Sequence, residues 1–178
     1  MQNRAQKNRS LLSPRSALKT VSKRPGLKKL LRKAHAKPLK QVAALPFRVG
    51  ADGQIEVLLI TSRDTGRWII PKGWPMIGRK GHRAAEREAF EEAGLKGQIA
   101  ASPVGWYRYE KRLDDGLALP CKVRVYPLRV EAQHERWPER DQRRLQWFAP
   151  EEAATLVQED ELQRLLAGFA AESRDRRG

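Results

Sequence analysis

The chain has 178 residues and a formal net charge of +15, from 36 Lys/Arg against 21 Asp/Glu; 13 of those cations and no acid fall in residues 1–40, so the other 138 residues, with 23 basic and 21 acidic side chains, are close to neutral. The length allows one domain with a tail, or two very small ones. A single cysteine, Cys121, excludes an intrachain disulfide framework and favours a reducing compartment, so a cytoplasmic location is expected; with only three separated histidines (His35, His82, His134) beside it a zinc finger is excluded, and no apolar run reaches the length of a membrane span.

Residues 1–39 carry one sign of charge and few aromatics, and are expected to form a disordered basic arm. The same Arg/Lys/Ser-rich, acid-free composition fits an organellar transit peptide. A short amphipathic helix over Leu27–Ala34 would put Leu27, Leu30 and Leu31 on one face. Such a stripe suits non-specific contact with polyanions such as nucleic acid.

From Gln41 the pattern changes. Val42–Phe47 and Ile55–Thr61 read as strands around a Gly50-Ala-Asp-Gly53 turn, and Trp68–Ile70 as a third strand stopped by Pro71. A loop rich in Gly and Pro follows over Lys72–Gly81. The next element is a helix over His82–Ala93, with Ala85, Ala89 and Ala93 on one side and Gly94 as its stop. Ile99–Lys111 and Leu119–Val130 read as a long hairpin around Asp114-Asp115-Gly116. Leu145–Phe148 is a further strand. Pro150 opens a closing helical stretch to about Phe169, broken near Gln158. There is no internal repeat. The order β-β-β-α-β-β-β-α predicts an α/β fold in which helices pack on a mixed sheet. The expected organisation is a basic arm (1–39), one domain (40–170) and a disordered tail (171–178).

The predicted helix over His82–Ala93 carries Glu88, Glu91 and Glu92 at i, i+3 and i+4, which puts three carboxylates on one face. Glu88 and Glu92 form a like-charge i, i+4 pair near the helix C-terminus, where the macrodipole disfavours negative charge. Arg87 offsets part of this by pairing with Glu91 four residues on. By spacing alone this is most simply a solvated acidic face; alternatively a hard divalent cation, Mg²⁺ or Mn²⁺, would neutralise the rest. Gly73-Trp-Pro-Met-Ile-Gly-Arg-Lys80 nearly spells a P-loop but fails on chemistry: Arg79 stands at the Lys position, Lys80 at the Ser/Thr position, and Pro75 removes a backbone donor.

Gly73 and Arg87-Glu88-Ala89-Phe90-Glu91-Glu92-Ala93-Gly94-Leu95 resemble the Nudix box: Gly, five residues, Glu, seven residues, then Arg-Glu-U-x-Glu-Glu-x-Gly-U with U apolar. The spacing fits without a gap. One position departs, since Arg79 stands where the box has its first Glu. Lys40-Gln-Val-Ala-Ala, Ser62-Arg63, Trp68-Ile-Ile-Pro, Trp137-Pro-Glu and Arg143-Arg144-Leu-Gln-Trp-Phe are similar to segments of the diphosphoinositol polyphosphate and diadenosine polyphosphate hydrolases of that superfamily. The resemblance covers about residues 40–160.

It implies the Nudix α/β/α sandwich with a mixed sheet, and a Mg²⁺-dependent hydrolase of phosphoanhydride bonds in small phosphorylated substrates. It also implies that Glu88, Glu91 and Glu92 hold the metal with the Gly73 carbonyl, and that Glu88 or Glu92 serves as base. Lys40, Arg63, Lys72 and Arg144 would bind phosphates. Glu139 would be either a further carboxylate or, as its loop position suggests, a solvated residue. Trp74, Trp106 and Tyr109 could stack on a base, but buried packing is the expectation for each. Two other readings follow from the same residues: a non-catalytic Nudix-like nucleotide- or RNA-binding module, with Arg79 marking lost catalysis, and an RNA 5′-end pyrophosphohydrolase helped by the basic arm.

Overall fold

Four successive residues of β1 (Leu39–Val49), Val42, Ala43, Ala44 and Leu45, are buried, so this strand has packed side chains on both faces and belongs inside a sheet. That is its place in a computed structural model, which describes residues 37–113 and 118–175, with side chains through residue 169. The expected arm therefore lies almost wholly outside the described residues, as do its Leu27–Ala34 helix, the Asp114–Gly116 turn and residues 176–178.

On one edge β1 runs parallel to β7 (Ala118–Gln133), with Leu39–Phe47 opposite Cys121–Arg129. On the other it pairs antiparallel with β4 (Lys72–Gly73) at Val42–Ala43 and with β2 (Ile55–Thr61) at Phe47–Val49. The free edge of β7 takes β6 (Gly105–Arg112) and β5 (Leu95–Ile99) end to end. β2 also pairs with β3 (Trp68–Ile69) and β8 (Leu145–Phe148), which completes a mixed eight-stranded sheet.

The sheet has a helical layer on each face. Val42, Ala44, Leu58, Ile60 and Leu128 pack against Ala84, Ala85, Ala89 and Ala93 of α1 (Gly81–Ala93). Small side chains along that stripe let the helix lie close to the sheet. Ala43, Leu45, Val57, Leu59, Val123 and Val125 pack instead against α2 (Pro150–Leu156) and α3 (Asp160–Asp175) through Ala153, Val157, Leu162 and Leu166. The expected α/β/α sandwich is thus observed, and Gly94 stops α1 in a left-handed conformation (φ 69°) with its N–H on the Ala89 and Phe90 carbonyls.

Three expectations are corrected. Ile99–Lys111 is not one strand: β5 and β6 pair with different stretches of β7, and the chain between them includes Pro103, which has no N–H for a ladder. Lys72 and Gly73, expected in a loop, form β4 because the start of β1 offers an open edge there. The last helix runs past Phe169 to Asp175, with helix-forming Ala170, Ala171 and Glu172 and no breaker, so its backbone overlaps the first residues of the expected tail.

Candidate active site

The short β4 brings the box glycine under α1. A Cβ built on Gly73 would fall onto the carboxylate of Glu88, so only glycine lets that side chain lie against the strand. Glu88 is buried there (5% exposed). One turn on, Glu92 (2% exposed) accepts the backbone N–H of Lys72 at 3.0 Å. Glu91, on the outer side of the same helix, is held by Arg87 through Nε–Oε1 at 2.6 Å, the pairing that the i, i+4 spacing predicts.

A chain of ion pairs leads away from Glu92. Arg143, itself buried, donates from Nη2 to Glu92 Oε1 at 2.5 Å, from Nε to Glu139 Oε2 at 2.8 Å and from Nη1 to the Thr61 carbonyl at 2.9 Å. Glu139 is also met by Arg63 (3.3 Å), whose Nη1 donates in addition to Gln142 Oε1 at 3.1 Å. The Glu139 N–H donates to the Glu91 carbonyl at 3.1 Å, which ties the single 3₁₀ turn at Arg140–Gln142 to α1. Glu139 is therefore not a solvated loop residue; it is 5% exposed and belongs to the site. Arg143 is the residue that the sequence reading missed. Its signal was the Glu139–Arg143 spacing of four, overlooked beside the family-matching Arg144.

The four expected phosphate-binding cations fall into different places. Arg63 joins the ion-pair chain from a half-exposed position. Lys72 gives its backbone N–H to Glu92, while its ammonium lies 5.0 Å from the ring centre of Tyr109. Arg144 exchanges backbone and side-chain hydrogen bonds with Thr61, and its guanidinium sits 5.5 Å over Trp68. Lys40 is exposed on β1, two residues before Val42, the strand partner of Gly73. Of the three aromatics, Tyr109 and Trp74 are partly buried, and the Tyr109 hydroxyl donates to Gln41 at 2.7 Å. Trp106 departs from the expected burial, at 40% exposed.

Burial perturbs the two groups at the centre. It raises the proton affinity of the Glu92 carboxyl above its ordinary value, against the opposing pull of Arg143, Lys72 and the Lys72 N–H, and with some help from Glu139. It lowers the pKa of Lys72, partly offset by Glu92, while Lys111, Arg67 and Arg143 add to the lowering. Opposed shifts on a neighbouring acid and base, set beside a buried ion-pair chain, make this cluster a candidate functional site.

Among the described residues no three carboxylate, imidazole or thiol groups form a ready-made metal cage. The donor chemistry nevertheless suits a hard divalent cation: two buried carboxylates, Glu88 and Glu92, adjoin a strand residue whose lack of a side chain leaves its backbone open to them. Glu91 faces Arg87 instead.

The family model for the NUDIX domain matches residues 39–168. The chain belongs to the Nudix family. Nudix hydrolases generally use divalent metal cations. Among curated relatives, Nudix hydrolase 12, mitochondrial, of Arabidopsis thaliana is 32% identical over 127 residues, 70% of this chain and 63% of the relative. Diphosphoinositol polyphosphate phosphohydrolase 3-beta of Bos taurus is 33% identical over 122 residues, 67% of this chain and 69% of the relative. The chain spans 62–64% of the length of three Arabidopsis relatives that it matches. Among solved structures, a binary complex of C. elegans Ap4A hydrolase is 26% identical with a TM-score of 0.52, covering 75% of this chain and 96% of that one. The NUDIX domain of Shewanella oneidensis NrtR, complexed with ADP ribose, has a TM-score of 0.55 at 17% identity (82% and 91% covered), a likeness of fold alone. No helix among the described residues is long and apolar enough to cross a membrane.

Proposed function

We propose that this Nudix chain is a Mg²⁺-dependent (or Mn²⁺-dependent) pyrophosphohydrolase that cleaves phosphoanhydride bonds in small substrates of the diphosphoinositol polyphosphate or dinucleoside polyphosphate class. The observation that carries this reading is the burial of Glu88 against Gly73 with Glu92 one turn away, tied to β4 and Arg143. A bound divalent cation would neutralise phosphate charge and make the attacking water more acidic. Glu88 and Glu92, with the Gly73 carbonyl, would hold it, and Glu91 would join them on release from Arg87.

Glu88 or Glu92 would take the proton from the attacking water, and the raised proton affinity of Glu92 supports Glu92 in this role. Arg143 orients Glu92 through its fixed fork of donors. Arg63 and Arg144 suit bidentate phosphate contacts, and Lys72 and Lys40 act as point charges. Residues 40–170 form the catalytic unit, with the basic arm before it and the tail after. The names of two relatives place those proteins in the mitochondrion and the chloroplast; for this chain the buried free thiol of Cys121 supports a reducing, cytoplasmic setting.

The test is phosphate release from diphosphoinositol and dinucleoside polyphosphates, with Mg²⁺ and with chelator. Saturating Mg²⁺ should also raise the melting temperature by mass action, and Glu91→Gln should blunt the rise. An unchanged melting temperature and no turnover across the panel would overturn the reading. One observation favours a second reading, a non-catalytic module that binds nucleotide or RNA: exposed Arg79 stands where the box has Glu. Metal-independent binding without turnover would select it, and triphosphorylated RNA in the panel separates an RNA 5′-end pyrophosphohydrolase from both.

A further inference from the structure

Where α1 stops, the sheet face beneath it continues into solvent. Val42 is covered, but the next side chain on that face of β1, Lys40, is exposed. Register carries this open face across three strands. One rung is Val42–Arg124–Trp106 and the next is Lys40–Lys122–Arg108. Neighbouring strands lie about 4.8 Å apart, so the second rung sets three cations side by side, an arrangement that costs stability unless something neutralises it. Glu161 reaches Arg108 at 3.0 Å. Among the described residues of β1, β6 and β7, that face otherwise carries Glu110 against Lys40, Lys122, Arg108, Arg124 and Arg112.

Trp106 stands among these charges, 40% exposed, with Lys122 Nζ 3.8 Å and the Arg108 guanidinium 4.4 Å from its ring centre. An exposed indole beside Lys122, Arg124 and Lys40 on an open strand face, with Arg108 held by Glu161, matches what a single strand of nucleic acid needs: a ring for a base and cations for successive phosphates. We propose that this face binds single-stranded nucleic acid. A bare anion would make no use of the indole, and a duplex keeps its bases stacked inside. In sequence, the acid-free segment of residues 1–40, with 13 cations, runs into β1 and ends on Lys40 of this rung. The surface shares Lys40 with the proposed phosphate site, but Trp106 and Lys122 lie outside the Glu88–Glu92 cluster and have no part in the proposed hydrolysis.

The test is fluorescence anisotropy of a labelled 12-nucleotide oligouridylate with the full chain between 50 and 200 mM salt (roughly the range over which phosphate contacts are lost). Trp106→Ala should weaken binding roughly tenfold or more, and Trp106→Phe should restore most of it. Lys122→Ala should reduce the slope of log affinity against log salt by about 0.7, the value for one phosphate contact on a single strand. Trp106 faces solvent, so the variants should keep the wild-type circular dichroism. If Trp106→Ala fails to fold, the Lys122→Ala slope still decides. Wild-type affinity in Trp106→Ala, an unchanged slope in Lys122→Ala, or equal binding of a 12-base-pair duplex would each overturn the proposal and leave polyanion binding to residues 1–40 alone.

Discussion

Two charged regions of this molecule lie on either side of Val42 and follow opposite rules. Beyond Gly73, charges alternate in sign from one contact to the next, through buried Glu92, Arg143 and Glu139 to half-exposed Arg63. On the open face, Lys40, Lys122 and Arg108 share one rung of like charge, with Glu161 meeting it at Arg108. Desolvation explains the difference. A buried charge must meet an opposite charge or donors, because an unpaired one costs several kcal/mol. An exposed cation is solvated and can wait for an external anion. The buried region should therefore respond to substitution through stability and turnover, and the open one through binding and salt.

The largest effect that would sharpen this contrast is catalytic. Glu88→Gln or Glu92→Gln should lower turnover of a diphosphate substrate roughly 10²–10⁴-fold, the usual contribution of a positioned general base. The circular dichroism should not change, since neither carboxylate lies in the apolar clusters. Wild-type rates in both variants would remove the assignment of the site.

Next comes the stability of the ion-pair chain. Arg143→Met leaves Glu92 and Glu139 buried without their shared partner, and breaking a buried pair from one side costs about 3–5 kcal/mol. Urea unfolding should show a loss of that order, whereas Lys122→Ala on the open face should stay within about 0.5 kcal/mol. Equal losses in the two variants would erase the distinction between the regions.

The sequence made the acidic half of this contrast legible and hid the cationic half. The Nudix box has fixed spacing, and Glu88, Glu92 and Gly73 meet as that spacing implies. The helix period also placed the apolar stripe of α1 correctly, and Val42–Phe47 lies within the observed β1. Arg143 and Glu139 were harder, because each makes its decisive contact with α1, about fifty residues away in the chain, and a local pattern carries no long-range register. Trp106 was misjudged for a related reason: strand alternation states which residues share a face, but not where the covering helix ends. Pro103, which has no N–H to give a ladder, was a signal for the split of β5 from β6, though an ambiguous one, since Pro46 and Pro127 sit within the β1–β7 pairing.

A smaller effect should appear against pH. Burial raises the folded-state pKa of Glu92 above its ordinary 4.5. A raised folded value gives stability that is complete below the unfolded pKa and is lost as pH climbs through the folded one. In metal-free protein, the stability of the wild type relative to Glu92→Gln should therefore fall as pH climbs above the ordinary 4.5. Urea unfolding with chelator present measures it. Mg²⁺ requires the ionised carboxylate, so its addition at neutral pH should recover stability in the wild type and much less in Glu92→Gln. A difference that stays flat with pH would mean that the Glu92 carboxyl is solvated.

The smallest effect concerns the residue whose charge crosses the divide. Arg79 belongs by position to the acidic box and by sign to the cationic surface. It is exposed on the turn leading into α1, where its N–H bonds the Met76 carbonyl at 3.1 Å. Arg79→Glu keeps that backbone bond and restores the box pattern, so its effect on stability should stay within about 0.5 kcal/mol, as for other surface positions. Turnover should be equal or higher, because an added carboxylate beside a cation-binding cluster favours the metal. Steady-state rates over a Mg²⁺ titration separate the two ways this can happen. A lower Mg²⁺ requirement at the same maximal rate means that the new carboxylate acts on the metal. A raised KM and a large loss of kcat/KM would mean that Arg79 itself grips substrate phosphate, and the boundary between the two charged regions would then run through the active site instead of beside it.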